Sequence, residues 1–450
     1  MNSKILLGFI VPPNGAIGGL PASEEWFTEK KKAVMNKLSK MYPEINFVTY
    51  DIRTASDVEK FLKEEGESYL LIVLNSIAGL IRPILYSHKP TVIIAETYGG
   101  AGEYLMEYSR ALEAGMPIVG IVTRDITSEN VLKKIELLEV ICKLRRSKIL
   151  FIVSPSEKFL MELEYPLSTD LYSSIKSLQA ITGITPIILS IQEFIDKYYK
   201  KVEESEAKAI AEKWINNAKK NVEKNTEEII KSAKLYIAMK KAAFDYKVDA
   251  IALDCIVLHN TNLLDAWPCL GYMELWNDNI VPVCEADAYS GAVLLIMKYL
   301  ADRPGFISDP SPDDLTNEVV YYHCMAPLIP YGSKGCRCPY TITPAHLGAK
   351  SASVHVELPT NETITAVGFS PEERTLVVHT AQAVKNEFSP YACAVKLVGR
   401  TETKILAKKW KYRVGWHRVV FYGDWRKELK ELSALLNLKF VEEDKEACDV

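Results

Sequence analysis

The first 155 residues alternate between short, continuous apolar runs and longer polar stretches with helical periodicity. The runs read KILLGFIV, NFVTYDI, YLLIVLN, TVIIAE, PIVGIVT and KILFIVS. Continuous apolar runs are typical of strands buried on both faces of a parallel sheet. Because crossovers between parallel strands are right-handed, the pattern predicts a doubly wound, flavodoxin-like layer. The first strand is not followed by G-x-G-x-x-G, so we expect no nucleotide cofactor.

The α/β pattern continues through residues 156–312, and a different pattern follows it. The later part of the chain contains short strand-like runs separated by turn residues, at 318–322, 353–357, 362–369, 375–379, 393–398 and 418–421. Such runs predict an antiparallel barrel or sandwich. We therefore predict three domains at 1–155, 156–312 and 313–450. Two doubly wound (flavodoxin-like) parallel-sheet α/β domains precede a β-rich, barrel-like C-terminal domain.

Charge and hydropathy argue against several classes of partner. The formal net charge is −4, without the clustered Lys and Arg that nucleic-acid binding requires. No run approaches the ~18 apolar residues that a membrane span needs. We interpret the N-terminal apolar stretch as a first strand and not as a signal peptide, and we expect a cytoplasmic protein.

The chain contains nine cysteines at scattered positions, mostly inside apolar runs. In a reducing cytosol they are expected to behave as small core hydrophobes. Cys336 and Cys338 form a C-x-C without a second Cys or His pair, which is a weak zinc signal. We expect a loop with two thiols there, and a redox role for the pair is a distant alternative.

Glu285 and Asp287 stand directly after the apolar run IVPVC and before an apolar helical stretch. Carboxylates are expensive to bury unless they are paired, hydrogen-bonded or bound to a metal. A structural explanation is equally available from composition, since Asp287 or Ser290 is suited to cap the following helix.

Three histidines lie in strand-end or loop positions that suit a ligand. His417 is flanked by Trp and Arg before the apolar run VVFY, His323 ends the run VVYY, and His346 lies in a more loop-like segment. Each of them alone is more often a structural histidine. Two carboxylates combined with neutral imidazoles, however, make a site suited to Mn²⁺, Co²⁺, Fe²⁺ or Mg²⁺.

Several motifs together resemble the L-fucose isomerase-like proteins of the L-fucose/L-arabinose isomerase superfamily, and are closer to its shorter, isomerase-related branch. They are WPCLG (267–271), CEAD (284–287), YLADRPGFISD (299–309), HCMAP (323–327) and GWHRVVFYGD (415–424). The resemblance covers most of the chain in order and is densest from about 250 to 424.

This resemblance implies a divalent metal, typically Mn²⁺, held by acidic residues and a C-terminal histidine. It carries over Asp287 and His417 as ligands, with Glu285 as a less secure third. The catalytic base matches no single position, and Glu285, Asp254 and Glu274 are the candidates. Such an enzyme interconverts an aldose and a ketose through a cis-enediol, with the carboxylate moving a proton between C1 and C2.

The remaining expectations concern the substrate and the assembly. Trp416, Arg418 and His323 are candidates for contacts to a monosaccharide, and the resemblance implies a homo-oligomer, a trimer or a hexamer. Two alternatives stay open. One is a non-catalytic sugar- or metabolite-binding protein on the same fold. The other is an isomerase of a sulfo- or phospho-sugar, which would need a basic pocket built from residues such as Arg418, Arg337 or Lys334.

Overall fold

The computed structural model describes residues 3–12, 23–75, 79–154, 171–261, 263–344 and 352–446. His346 and Cys448 lie outside these ranges. The chain divides into two compact units, the first made of Met1–Lys143 with Lys427–Lys439 and the second of Leu144–Arg426 with Phe440–Val450. The division into three domains stays a prediction. Among the described residues, no helix combines the length and apolarity needed to cross a membrane.

The first unit is built on a five-stranded parallel sheet of strand order β2-β1-β3-β4-β5. Its elements in chain order are β1 Ser3–Ile10, α1 Glu24–Met41, β2 Ile45–Ile52, α2 Ala55–Lys63, β3 Ser68–Val73, α3 Arg82–Leu85, β4 Thr91–Glu96, α4 Ala101–Glu113, β5 Ile118–Thr123 and α5 Glu129–Arg146, the last of which runs into the second unit. Every residue of β3 and β4 is buried. Continuous apolar runs form these strands because helices cover both faces of the sheet, so neither face requires polar residues. The order is that of flavodoxin-like folds.

The second unit begins with a four-stranded parallel sheet of order β10-β9-β6-β7. Its elements are β6 Lys148–Val153, α6 Leu171–Thr182, β7 Thr185–Ser190, α7 Ile191–Lys197, α8 Glu204–Asn217, β8 Lys220–Asn221, α9 Thr226–Tyr246, β9 Ala250–Leu253, α10 Cys255–Thr261, α11 Cys269–Leu275, β10 Val281–Cys284 and α12 Ala288–Ala301. Strands β9 and β10 are parallel neighbours. The residues that follow these two strands therefore emerge at the same edge of the sheet.

The rest of the second unit contains a closed antiparallel barrel. The elements from here to the end of the chain are β11 Phe306–Asp313, β12 Glu318–His323, β13 Tyr340–Pro344, β14 Ala352–Val356, β15 Glu362–Ser370, β16 Thr375–Asn386, β17 Val395–Arg400, α13 Thr403–Lys409, β18 Arg418–Tyr422, α14 Arg426–Leu435 and β19 Lys439–Glu442. Residues Lys427–Lys439, which include α14 after its first residue, belong to the first unit. Six strands follow the order β15-β18-β11-β12-β17-β16, and β16 pairs back to β15. The predicted fold class, two parallel-sheet layers and a β-rich barrel, is confirmed. Strand β14 is not part of the barrel and joins β13 and β8 in a separate sheet.

A charged group is buried inside the barrel. The guanidinium of Arg418 donates to both carboxylate oxygens of Glu443, over 3.0 and 2.7 Å, and both side chains are fully buried. His379 lies 3.3 Å from the same carboxylate. Burial by itself raises the pKa of the Glu443 carboxyl, but the charge of Arg418 and hydrogen bonds from His379 and Arg418 lower it to about 2. The pair is therefore ionised throughout the neutral range.

Candidate active site

The carboxylates after β10 are positioned by a strained turn. Glu285 and Ala286 both adopt left-handed backbone conformations, with φ of 56° and 52°. Non-glycine residues rarely adopt this conformation, and clusters of them concentrate at functional sites. The turn ends at Asp287, whose Oδ1 accepts hydrogen bonds from the backbone amides of Tyr289 and Ser290, over 3.0 and 3.1 Å. Asp287 is thus the N-cap of α12.

Asp287 also fixes the orientation of His417. Its second oxygen, Oδ2, lies 2.8 Å from Nδ1 of His417, and both side chains are buried. An ionised carboxylate can only accept, so Nδ1–H of His417 donates and Nε2 retains its lone pair. Nε2 lies 3.4 Å from Asp309 Oδ1 and 3.6 Å from Glu285 Oε2. Orientation of a ligating imidazole by a carboxylate on its other nitrogen is a common feature of metal sites.

Asp309 and His323 approach from two paired barrel strands. Asp309 on β11 lies opposite Tyr322 on β12, and His323 is the next residue of β12. His323 Nε2 lies 3.5 Å from Glu285 Oε1, and its ring centre lies 5.2 Å from that of His417. The barrel thus contributes an aspartate and two imidazoles to the carboxylate presented by the parallel sheet.

Several of these polar atoms have no hydrogen-bond partner among the described residues. They are both ring nitrogens of His323, whose side chain is 1% exposed, and Oδ1 of Asp309. Buried polar atoms without partners are costly and usually indicate a ligand, an ion or a catalytic role. Their cost therefore points to a group bound between these side chains.

The donor set fits a divalent cation. One ligand atom each from Asp309, His323 and His417 lie within 4.8 Å of one another, and Cys284, Glu285 and His323 form a second such group. Carboxylate and imidazole ligands suit Mn²⁺, Fe²⁺ or Co²⁺. Burial raises the pKa of the Glu285 carboxyl to about 7, against the opposing effect of the two histidines. Burial alone would lower the pKa of His417, but Asp287, Glu285 and Asp309 raise it above its ordinary value.

Asp254 and Glu274, the other two predicted bases, lie outside both ligand groups. Asp254 follows β9, next to β10, and its Oδ1 accepts a 3.0 Å hydrogen bond from the amide of Val257. Burial raises its pKa to about 6. Glu274 on α11 lies 2.9 Å from Nζ of Lys213 and 3.9 Å from Nη2 of Arg337. Asp254 is thus a buried carboxyl at the sheet edge where Glu285 also emerges, whereas Glu274 forms ion pairs with Lys213 and Arg337.

The two predicted substrate contacts beside His417 have different environments. Trp416 is partly buried, donates its indole N–H to the carbonyl of Pro310 over 3.0 Å, and packs edge-on against Tyr322. Arg418 is fully buried. Its nitrogen atoms donate to Glu443 and to the carbonyls of Gly415 and His417. These bonds hold the backbone at His417.

The structure brings together four predicted site residues, Glu285, Asp287, His323 and His417, and adds one that sequence reasoning missed. Asp309 appeared in the sequence only as the end of a family-like segment. It is identified by its carboxylate, which lies within 4.8 Å of ligand atoms of His323 and His417. Cys336 is exposed and Cys338 is buried. Neither belongs to a metal-ligand group among the described residues.

Comparison with known proteins adds a distant similarity to sugar isomerases. The chain is 23% identical over 283 residues to the sulfoquinovose isomerases of Priestia aryabhattai and Priestia megaterium (strain ATCC 12872 / QMB1551), and the matched segment covers 59% of this chain. It also spans 59% of the length of each relative. A search of family models finds no match.

Proposed function

We propose that this protein is a metal-dependent aldose–ketose isomerase related to the L-fucose/L-arabinose isomerase superfamily. The observation that carries the proposal is the clustering of Asp309, His323 and His417, with Glu285 beside both histidines, where buried polar atoms lack partners among the described residues. The similarity to sulfoquinovose isomerases supports the same conclusion from sequence.

In this proposal Asp309, His323 and His417 hold the cation, most suitably Mn²⁺, and Glu285 Oε2 lies 3.6 Å from Nε2 of His417. A bound divalent cation supplies Lewis acidity toward the carbonyl and hydroxyl oxygens of an open-chain sugar. Asp287, predicted from sequence as a ligand, has one oxygen on the amides of α12 and the other on His417. We assign it to positioning His417.

The isomerisation itself requires one carboxylate. The carboxylate removes the proton from C2 and returns it to C1, while the hydroxyl proton of O2 passes to O1, and the two transfers together convert aldose to ketose through an enediol. Glu285 is the first candidate because its carboxylate oxygens lie 3.5 Å from His323 Nε2 and 3.6 Å from His417 Nε2, beside the proposed cation. Asp254 is the second candidate, because it emerges at the same sheet edge.

The substrate class remains open between neutral sugars and sulfo-sugars. The names of the relatives favour a sulfonated sugar. Of the residues proposed to bind its anionic group, Arg418 is committed to Glu443, whereas Lys334 and Arg337 are exposed on the segment between β12 and β13. A sulfo-sugar isomerase would therefore need Lys334, Arg337 or another cation to bind the sulfonate.

Deuterium exchange tests the proposal without assuming the sugar. Wild-type protein and His417→Ala are incubated in D₂O with Mn²⁺ and with sulfoquinovose, D-glucose, L-fucose or L-arabinose, and proton NMR monitors loss of the C2 proton. We expect exchange and ketose formation with at least one sugar, lost in His417→Ala. Stoichiometric Mn²⁺ binding without exchange of any sugar would favour a sugar-binding protein. A protein that takes up no metal would contradict the proposal.

The cytoplasmic location and the assembly as a trimer or hexamer stay predictions. Light scattering after size-exclusion chromatography measures the number of subunits directly. A monomer at micromolar concentration would contradict it.

A further inference from the structure

Five buried cysteines from separate parts of the fold lie around the candidate site and play no part in the proposed isomerisation. They are Cys255, Cys269, Cys284, Cys324 and Cys393. The sulfur of Cys255 lies 4.0 Å from that of Cys284, and the sulfur of Cys324 lies 3.6 Å from that of Cys393. A hard-metal sugar isomerase has no evident chemical need for thiols at this position.

Cys284 is the thiol that reaches the metal-ligand groups. Its sulfur, a carboxylate oxygen of Glu285 and a ring nitrogen of His323 lie within 4.8 Å of one another. The strained turn at Glu285 and Ala286 allows neighbouring residues to direct their donor atoms to one place. His323 is 1% exposed, and neither of its ring nitrogens has a hydrogen-bond partner in the described part of the chain.

The two groups share His323 but differ in chemical softness. Asp309, His323 and His417 offer oxygen and nitrogen, which suit Mn²⁺, whereas Cys284, Glu285 and His323 add a thiolate, which selects Zn²⁺ and other thiophilic ions. Three protein ligands with an open fourth position make a familiar zinc arrangement. The titratable groups that surround these three residues include Asp254, Cys255, Tyr272, Asp309, Cys324 and His417.

We propose that Cys284, Glu285 and His323 form a second divalent-cation subsite that takes a thiophilic ion such as Zn²⁺ or Cd²⁺. Binding breaks the S–H bond of Cys284, forms a sulfur–metal bond and releases the proton to solvent. A cation held there withdraws His323 from the Asp309–His323–His417 group. Zn²⁺ and Mn²⁺ therefore compete, and this consequence alone rests on the proposed function.

Cobalt tests the subsite directly, because Co²⁺ bound to a thiolate shows a ligand-to-metal charge-transfer band in the near ultraviolet. Metal-free wild-type protein is titrated with Co²⁺ under reducing conditions and its absorption spectrum is recorded. We expect the band in the wild type, in proportion to bound cobalt, and its loss in Cys284→Ser. Cys324→Ser is the matched control, since it removes a buried thiol adjacent to His323 that is not in the ligand group, and it should retain the band.

Several results would overturn the proposal. They are cobalt bound to the wild type without the charge-transfer band, no cobalt binding at all, and a band that persists in Cys284→Ser. An absent band in the wild type overturns the proposal even where the serine variant fails to fold. The failures are distinguishable, because an absent band alongside sugar exchange with Mn²⁺ removes the subsite and leaves the isomerase. A charge-transfer band in a protein that exchanges no sugar proton would remove the isomerase and leave the subsite.

Discussion

Replacing Asp287 with asparagine separates the two tasks of its carboxylate. Asparagine is as good an N-cap as aspartate, so the bonds to the amides of Tyr289 and Ser290 should survive. The bond to His417 cannot survive unchanged, because the amide presents N–H donors where Oδ2 accepted from Nδ1. His417 would then accept at Nδ1 and carry its proton on Nε2, the nitrogen that faces Asp309 and Glu285.

The expected loss of metal affinity follows from this change of tautomer. Loss of a carboxylate behind a ligating histidine weakens metal binding by roughly 10- to 100-fold, which corresponds to about 1.4–2.7 kcal/mol. The free energy of unfolding should change little, because the cap is retained. Asp287→Ala, the comparison variant, loses the cap as well and should lower the free energy of unfolding of the metal-free protein by about 1 kcal/mol or more.

Isothermal titration of metal-free protein with Mn²⁺ measures the first quantity, and urea unfolding measures the second. Wild-type Mn²⁺ affinity in Asp287→Asn would refute the positioning role. A loss as complete as that of His417→Ala would indicate that Asp287 is itself a ligand, as the family resemblance implies.

Three further predictions concern stability. Glu443→Gln leaves the buried Arg418 without its countercharge and should lower the free energy of unfolding by about 3–5 kcal/mol in urea, whereas a loss under 1 kcal/mol would contradict this. The folded pKa of Glu443, about 2, lies below the unfolded value. Its stabilising contribution, about 3 kcal/mol, is therefore complete above pH ~4.5 and lost as the pH falls toward 2. Urea midpoints measured from pH 6 to 2.5 should fall less steeply in Glu443→Gln than in the wild type, and equal slopes would argue against this. Ala286→Gly should leave the protein equally stable or about 1 kcal/mol more stable in thermal unfolding, because glycine adopts the left-handed conformation without strain. A clear loss of stability would show that the packing of the alanine methyl group outweighs the backbone strain.

The sequence alone predicted the fold class because the signals involved are local. Continuous apolar runs such as those of β3 and β4 report burial on both faces, whatever the neighbouring strands are. Short runs separated by turns likewise indicated a β-rich final part. Closure of the barrel through β15 and β16, and the separate sheet formed by β14, depend on pairings between distant segments, which local composition does not encode.

The candidate site likewise has features that the sequence predicted and features that only the structure supplied. Glu285, Asp287, His323 and His417 were predicted from sequence, since each is a polar residue close to an apolar run and lies in a segment that resembles the isomerase family. Their convergence, and the addition of Asp309, required the tertiary structure, because Asp309, His323 and His417 come from separate segments whose donor atoms meet only in the folded chain. The orientation of Asp287 toward His417 also depends on a contact between residues 130 positions apart in the chain. Residue type and local periodicity determine which groups are available for chemistry, whereas only the packing of the barrel against the sheet edge determines which of their atoms meet.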